Sequence, residues 1–241
     1  MTTVRRTHDQ AIYLAEDRYD DPKEIFKMLG DHVHQVGAPR PGQVVCDFGC
    51  AAGEWLSYLC RRFPGPRYAG YDVVPALLER ARGRVPGATF HQGSVLDRML
   101  LPEASVDWAF MVGVHPIFDA FEPSLSNLLW WTRPGGRISI LGPFNPFPID
   151  VWVTYRLIDD PDPDHREPGW NLFSKASLAR YLDRAVGPGR YTFLPWELPC
   201  DLPHHPDDPV RTWTVQDRDG RRLLINGLGL LRRLELLEIT R

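Results

Sequence analysis

Through the middle of the chain, short apolar runs alternate with longer stretches whose apolar positions recur every three or four residues. QVVCDFG (43–49) reads as a strand, and EWLSYLCRRF (54–63) places Trp55, Leu56, Leu59, Cys60 and Phe63 on one helical face. RYAGYD (67–72) predicts a second strand, PALLERARGRV (75–85) a helix, and ATFHQG (88–93) a third strand. VDWAFMVGV (106–114) predicts a buried fourth strand and EPSLSNLLWWT (122–132) a helix stopped by RPGG, with RISILGPF (137–144) a fifth strand. Strands alternating with helices of about ten to fifteen residues imply a doubly wound α/β fold, its sheet covered on both faces.

The flanks differ in texture. PKEIFKMLGDHVHQV (22–36) spaces Ile25, Leu29, Val33 and Val36 as a helix would, and GAPRPG breaks the chain before the first strand. NPFPIDVWVTYR (145–156) and DDPDPDHREPGW (159–170) are too polar and proline-rich to be core elements. SKASLARYLDRA (174–185) returns to helix with Ser174 as its cap, YTFLPWEL (191–198) is a strand, TWTVQDRDGRRLLI (212–225) a hairpin about Asp-Gly, and LELLEIT (234–240) a last strand. The short hairpin link means these later strands cannot all be parallel, so the sheet should be mixed at one edge. The expected organisation is one domain over 1–241, with a helical cap (1–39), a ligand-binding core (40–145) and substrate-side loops with closing strands (146–241).

Composition narrows the choice. At 241 residues, with 43% hydrophobic and 24% charged, the chain has ordinary globular values. Its net charge of -3 argues against a nucleic-acid partner, since polyanion binders carry a basic surplus. Cys46, Cys50, Cys60 and Cys200 form neither a disulfide framework nor a zinc pattern. No run of 18 apolar residues occurs, and MTTVRRTHDQ leads into no apolar segment; the expectation is a soluble, cytoplasmic protein with no membrane partner. His32 and His34 lie two apart on a helix and do not share a face, and His204 and His205 have no matching ligands, so no metal is expected.

In a doubly wound sheet, ligands bind beyond the carboxyl ends of the strands where the strand order reverses. The first strand ends at Asp47 and turns through Gly49 and Gly53, which let backbone approach a ligand. An acid before such a turn repels phosphate and suits a cation. Asp72, closing GYD, is a candidate acceptor for a ribose diol, and Ser94 with the Val95 backbone in GSVLD would flank a purine edge.

DFGCAAG, GYD, GSVLD, VDWAFMVGV and RPGGRISI together resemble the class I S-adenosylmethionine-dependent methyltransferases over residues 40–145. The resemblance implies a Rossmann-like sheet of seven strands with the last antiparallel, S-adenosylmethionine as cofactor, and Asp47 facing its cationic methionine end. It implies cofactor contacts from Gly49, Cys50, Ala51, Gly53, Asp72, Val73, Ser94, Val95 and Gly113. Two features depart from the family pattern: Ala51 replaces its middle glycine, and Ser94 stands where many members have an acid. GVHPIF also replaces the Asn/Asp-Pro-Pro-Tyr signature, which lowers the case for base or glutamine N-methylation.

Methyl transfer needs donor and acceptor in line, and a hydroxyl acceptor must also lose its proton. His115 stands beyond the fourth strand as a candidate base, with Asp119 to orient it. Tyr19 as a lid, Asn145 and Asp150 as hydrogen-bonding groups, and Trp170 as a stacking wall are the candidate substrate residues. GPFNPFPIDV with GWNLFSK resembles methyltransferases of bacterial polysaccharide and secondary-metabolite pathways. That implies O-methylation of a sugar or another small hydroxylated metabolite, with N-methylation, or cofactor binding without transfer, as the alternatives.

Overall fold

In a computed structural model of the chain, residues 12–241 are described; the start of the expected cap, 1–11, lies outside them. Among the described residues the longer helices are α1 (Glu24–Gln35), α2 (Glu54–Arg62), α3 (Pro75–Arg84), α4 (Glu122–Trp131) and α5 (Lys175–Ala185). The central strands are β1 (Val44–Phe48), β2 (Arg67–Asp72), β3 (Ala88–Gln92), β4 (Val106–Val112) and β5 (Thr132–Pro143). Beyond them come β6 (Thr154–Tyr155), β7 (Glu167–Pro168), β8 (Tyr191–Trp196), β9 (Trp213–Gln216), β10 (Arg222–Ile225) and β11 (Leu234–Thr240).

Seven strands form the main sheet in the order β3-β2-β1-β4-β5-β11-β8. β1 to β5 are parallel, whereas β11 runs antiparallel to both β5 and β8. The chain thus has the expected Rossmann-like α/β fold with a mixed edge. The reason differs from the expected one: β11 reverses the edge, while the β9–β10 hairpin forms a separate two-stranded sheet. β5 also starts five residues before the expected 137, because RPGG bulges within it: pairing jumps from Val106↔Thr132 to Trp108↔Arg137.

Side-chain alternation along β1 assigns the two faces. Cys46 and Phe48 enter a core beneath α4 and α5 with Leu128, Trp131, Leu178 and Leu182. Val45 points to the opposite face, where Leu29, Val33, Trp55, Leu56 and Leu59 pack from α1 and α2. Asp47, two residues on from Val45, therefore enters an apolar layer as its strand ends. The strand order reverses between β1 and β4, and both carboxyl ends open there.

Gly53 starts α2 from a left-handed conformation, φ +77°, with Phe90 2.8 Å and Ala81 3.1 Å from where a Cβ would sit. Gly53→Ala combines left-handed strain with overpacking, so we expect a loss of at least about 2 kcal/mol. A thermal melt should fall by about 4–8 °C; an unchanged melt would contradict this tight approach of helix and sheet.

Candidate functional site

The turn after β1 is bonded to the end of β2. The Gly49 and Cys50 N–H groups both donate to the Tyr71 carbonyl, at 2.7 and 3.1 Å. Asp72 then bridges outward, its Oδ2 accepting from Ala51 N and its Oδ1 from Val74 N, both at 2.9 Å. Ala51 has φ +45°, and the bond that its N–H donates to the Asp72 carboxylate holds it in the left-handed region. Gly49 has φ +78°, and a Cβ there would lie 2.3 Å from Val114 Cγ2.

Asp47 sits below this turn. It is 3% exposed, and its Oδ1 is buried with no hydrogen-bond partner. Burial first, and the nearby Asp72 carboxylate second, push its pKa up to about 8. Asp72 is raised as well, by burial, against the opposing pull of its backbone N–H donors. Two carboxylates crowded under one turn leave a site that favours a cation or a hydrogen-bond donor.

A cavity of about 290 Å³ opens over the turn. Asp47, Gly49 and Cys50 form its floor, and Gly113, Pro116, Gly142 and Pro143 its wall at the ends of β4 and β5. Tyr13, Lys23, Ile25 and Phe26 close it from the N-terminal side, and Trp170, Thr212, Leu224 and Arg232 from the C-terminal part of the chain. Glu54 and Trp55 also line it, and the Trp55 indole N–H is buried without an acceptor. Lys23 Nζ lies 2.8 Å from Glu16 Oε2 and 3.6 Å from Glu54 Oε2. The Arg232 guanidinium lies over the Trp170 ring, 5.2 Å from its centre.

Of the sequence candidates, Asp47, Gly49, Cys50, Ala51, Gly113 and Trp170 come together on this cavity. Asp72, Gly53, Val73, Ser94 and Val95 do not line it. Asp72 and Gly53 shape the turn, while Val73 is 45% exposed beyond β2. Ser94 Oγ accepts from Leu96 N, and the Val95 carbonyl accepts from Asn127 Nδ2.

His115 lies behind the cavity wall. It is 1% exposed, packs between Phe144 and Phe173, and has neither ring nitrogen bonded. Burial lowers its pKa to about 4, so at neutral pH it is an uncharged core side chain. Its neighbour Pro116 reaches the cavity instead. Asp119 does not orient the imidazole; its Oδ1 accepts from Asn171 Nδ2 at 3.2 Å.

Three expected substrate residues serve the scaffold. The Tyr19 hydroxyl donates to the Ala52 carbonyl at 2.6 Å, which makes it a strut under the turn and not a lid. Asn145 Nδ2 donates to the Ile149 carbonyl and its Oδ1 accepts from Phe147 N, closing its own loop. Asp150 accepts from Ser174 N at 2.5 Å and Ser177 Oγ at 2.7 Å, at the start of α5. Short polar side chains satisfy nearby backbone groups before they reach a distant cavity. Lys23, Glu54, Trp55, Thr212 and Arg232 were not anticipated. Only Glu54 and Trp55, directly after the glycine turn, carried a local signal.

Among the described residues, no group of three or more His, Cys, Asp or Glu side chains is arranged to hold a metal ion. Nor is any described helix long and apolar enough to cross a membrane.

Residues 45–136 match a family model described as a methyltransferase domain. Isonocardicin synthase of Nocardia uniformis subsp. tsuyamanensis is 32% identical over 58% of this chain and 47% of its own length. Malonyl-[acyl-carrier protein] O-methyltransferase of Serratia marcescens is 29% identical over 57% of this chain and 55% of its own. The chain thus spans about half the length of these curated relatives. A SAM-dependent methyltransferase from Aquifex aeolicus has the same fold, with a TM-score of 0.53 at 15% identity over 96% of this chain and 99% of its own.

The burial of His115 generates a pH prediction. Its folded pKa, about 4, lies below the ordinary 6.5, so its contribution to stability is complete above 6.5 and is lost as pH falls toward 4. Between about pH 7 and pH 5 this costs about 2 kcal/mol. His115→Phe should remove that acid dependence in denaturant titrations and leave turnover within a few-fold. An unaltered pH slope, or loss of turnover in a folded variant, would return the imidazole to the chemistry.

Proposed function

We propose, on the premise that residues 45–136 form a class I S-adenosylmethionine-dependent methyltransferase domain, that the protein methylates an oxygen of a small hydroxylated metabolite or sugar. One observation carries the cofactor half of this reading: the buried, unpartnered Asp47 oxygen beneath a glycine turn. An ionised carboxylate in an apolar layer is costly unless a cation meets it. The cofactor's methionine end carries an ammonium group, and the turn's glycines leave its backbone open to close approach.

When bound, S-adenosylmethionine supplies a methyl group on a sulfonium, a leaving group good enough for alignment to provide most of the catalysis. Asp47 would accept from its ammonium group, and the buried Trp55 indole N–H would meet the adjoining carboxylate. The Asp72 oxygens each accept one backbone N–H, and a carboxylate has about four lone-pair sites, so capacity remains for two ribose hydroxyls. Val73, Ser94 and Val95, at the ends of β2 and β3, are the residues that would flank the cofactor's base. Gly113 keeps the end of β4 clear, with no atom within 4 Å of where a Cβ would stand.

The acceptor lies between the turn and the N- and C-terminal walls. Glu54 is the carboxylate we assign to take a hydroxyl proton: it lines the cavity, is 7% exposed, and has Lys23 at 3.6 Å to steady its charge. The burial of His115 away from the cavity favours a second reading, a neutral amine acceptor, which needs no base to attack.

Glu54→Gln should lower kcat at least about a hundredfold on a hydroxyl acceptor while cofactor affinity by calorimetry changes little. Methyl-labelled cofactor with a panel of alcohols, sugars and amines provides the readout. Label transferred at an undiminished rate in the variant would favour the amine. Binding with no label transferred to any acceptor would overturn the methyltransferase reading in favour of a cofactor-binding protein.

A further inference from the structure

A second cavity, of about 660 Å³, adjoins the first. Tyr13, Lys23, Ile25, Trp170 and Thr212 line both, so the two spaces meet at one neck. The larger chamber lies between residues 12–25 and the stretch from Leu198 to Thr212, and no residue of the Asn145–Asp150 loop lines it. Its volume falls within the range of about 300–1,000 Å³ typical of ligand pockets. A cofactor with its methionine end on Asp47 does not account for this chamber, because Asp47 and the turn that would hold it line the smaller one.

The chamber wall carries many charges, most of them matched within the protein. Glu16 pairs with Lys23 at 2.8 Å and with Arg211 at 3.0 Å. Arg18 pairs with Asp21 at 3.3 Å, Glu24 with Lys27 at 2.6 Å, and Asp201 with Arg222 at 2.7 Å. The lining sets four acids, Glu16, Asp21, Glu24 and Asp201, against three bases, Arg18, Lys23 and Arg211, each already paired, so an acceptor with several carboxylates or phosphates meets no surplus of positive charge there. A molecule whose hydroxyls bridge existing ion pairs disturbs nothing. The neck adds aromatic surface from Tyr13 and Trp170, and Ile25 and Leu198 give apolar wall beside it. Flat apolar faces beside polar edges suit a ring that is apolar on its faces and hydroxylated at its rim.

We propose that the acceptor is an extended, uncharged, polyhydroxylated molecule that spans both cavities, its reacting end over the turn and its body in the larger chamber. This rests on the methyltransferase reading and specifies its substrate class. Cys200 is the residue to plug: its half-buried side chain lines the larger chamber and not the smaller, and it takes no part in the chemistry assigned above.

The test uses the whole 241-residue chain labelled with fluorotryptophan, with the Trp170 fluorine signal assigned by its loss in Trp170→Phe. Maltotriose, glucose and citrate are titrated in the presence of S-adenosylhomocysteine, whose own binding is measured by calorimetry. Maltotriose should move the Trp170 signal saturably, glucose should bind at least roughly tenfold more weakly, and citrate should leave the signal in place. Cys200→Trp should abolish the maltotriose response while S-adenosylhomocysteine affinity stays within about threefold. Citrate binding better than maltotriose, a Trp170 signal that no sugar moves, or a maltotriose response that survives the plug would each overturn the proposal. Failure of S-adenosylhomocysteine to bind at all would sink the methyltransferase reading itself, which keeps the two failures apart.

Discussion

A buried carboxylate without a partner organises this molecule. Asp47 is carried into an apolar layer by the alternation of β1, and its Oδ1 is met by no hydrogen bond. Folding alone would be better served by a hydrophobic residue there. The cost is tolerable because burial holds the carboxyl protonated up to about pH 8, so the ligand-free protein need not carry the charge. The same circumstance makes the position a receptor for positive charge. Asp72 acts on it twice, as a nearby negative charge and as the acceptor that holds Ala51 and the turn above it.

The rest of the fold serves that spot. Parallel strands bring the ends of β1, β4 and β5 to one rim, and the reversal of strand order keeps the rim open. α1 and the C-terminal hairpin then enclose it from opposite sides, joined by Lys23, Trp170 and Arg232. The enclosure is electrostatically balanced, since Glu16 and Glu54 meet Lys23, and Glu16 also meets Arg211. A low-dielectric pocket therefore forms without stranding many ions, which strengthens whatever polar contact a ligand makes inside.

Much of the fold could be read from the sequence because local pattern determined it. The spacing in EWLSYLCRRF reports α2, and the short apolar runs report β1, β2 and β4. The turn was legible for a related reason: Asp47 and Gly49 act where they stand, and Asp72, which accepts from Ala51 N, closes the strand paired with β1. β11 could not be placed from its own residues, because LELLEIT pairs equally well with any free edge until the hairpin is known to fold apart. The substrate side was harder. His115, Asn145 and Asp150 have the right chemistry and lie near the right rim in sequence, yet each is taken up locally, by aromatic packing or by backbone N–H groups. The side chains that do reach the cavity, Lys23 and Arg232, come from opposite ends of the chain, and no spacing rule connects them.

Carbon NMR of protein labelled at the aspartate carboxyls, with Asp47 assigned by Asp47→Asn, follows the central group itself. The account predicts a titration near pH 8 in the free protein, moving below about pH 5 when S-adenosylmethionine is bound. A carboxyl that titrates near 4 in the free protein, or one whose midpoint ignores the cofactor, would contradict it.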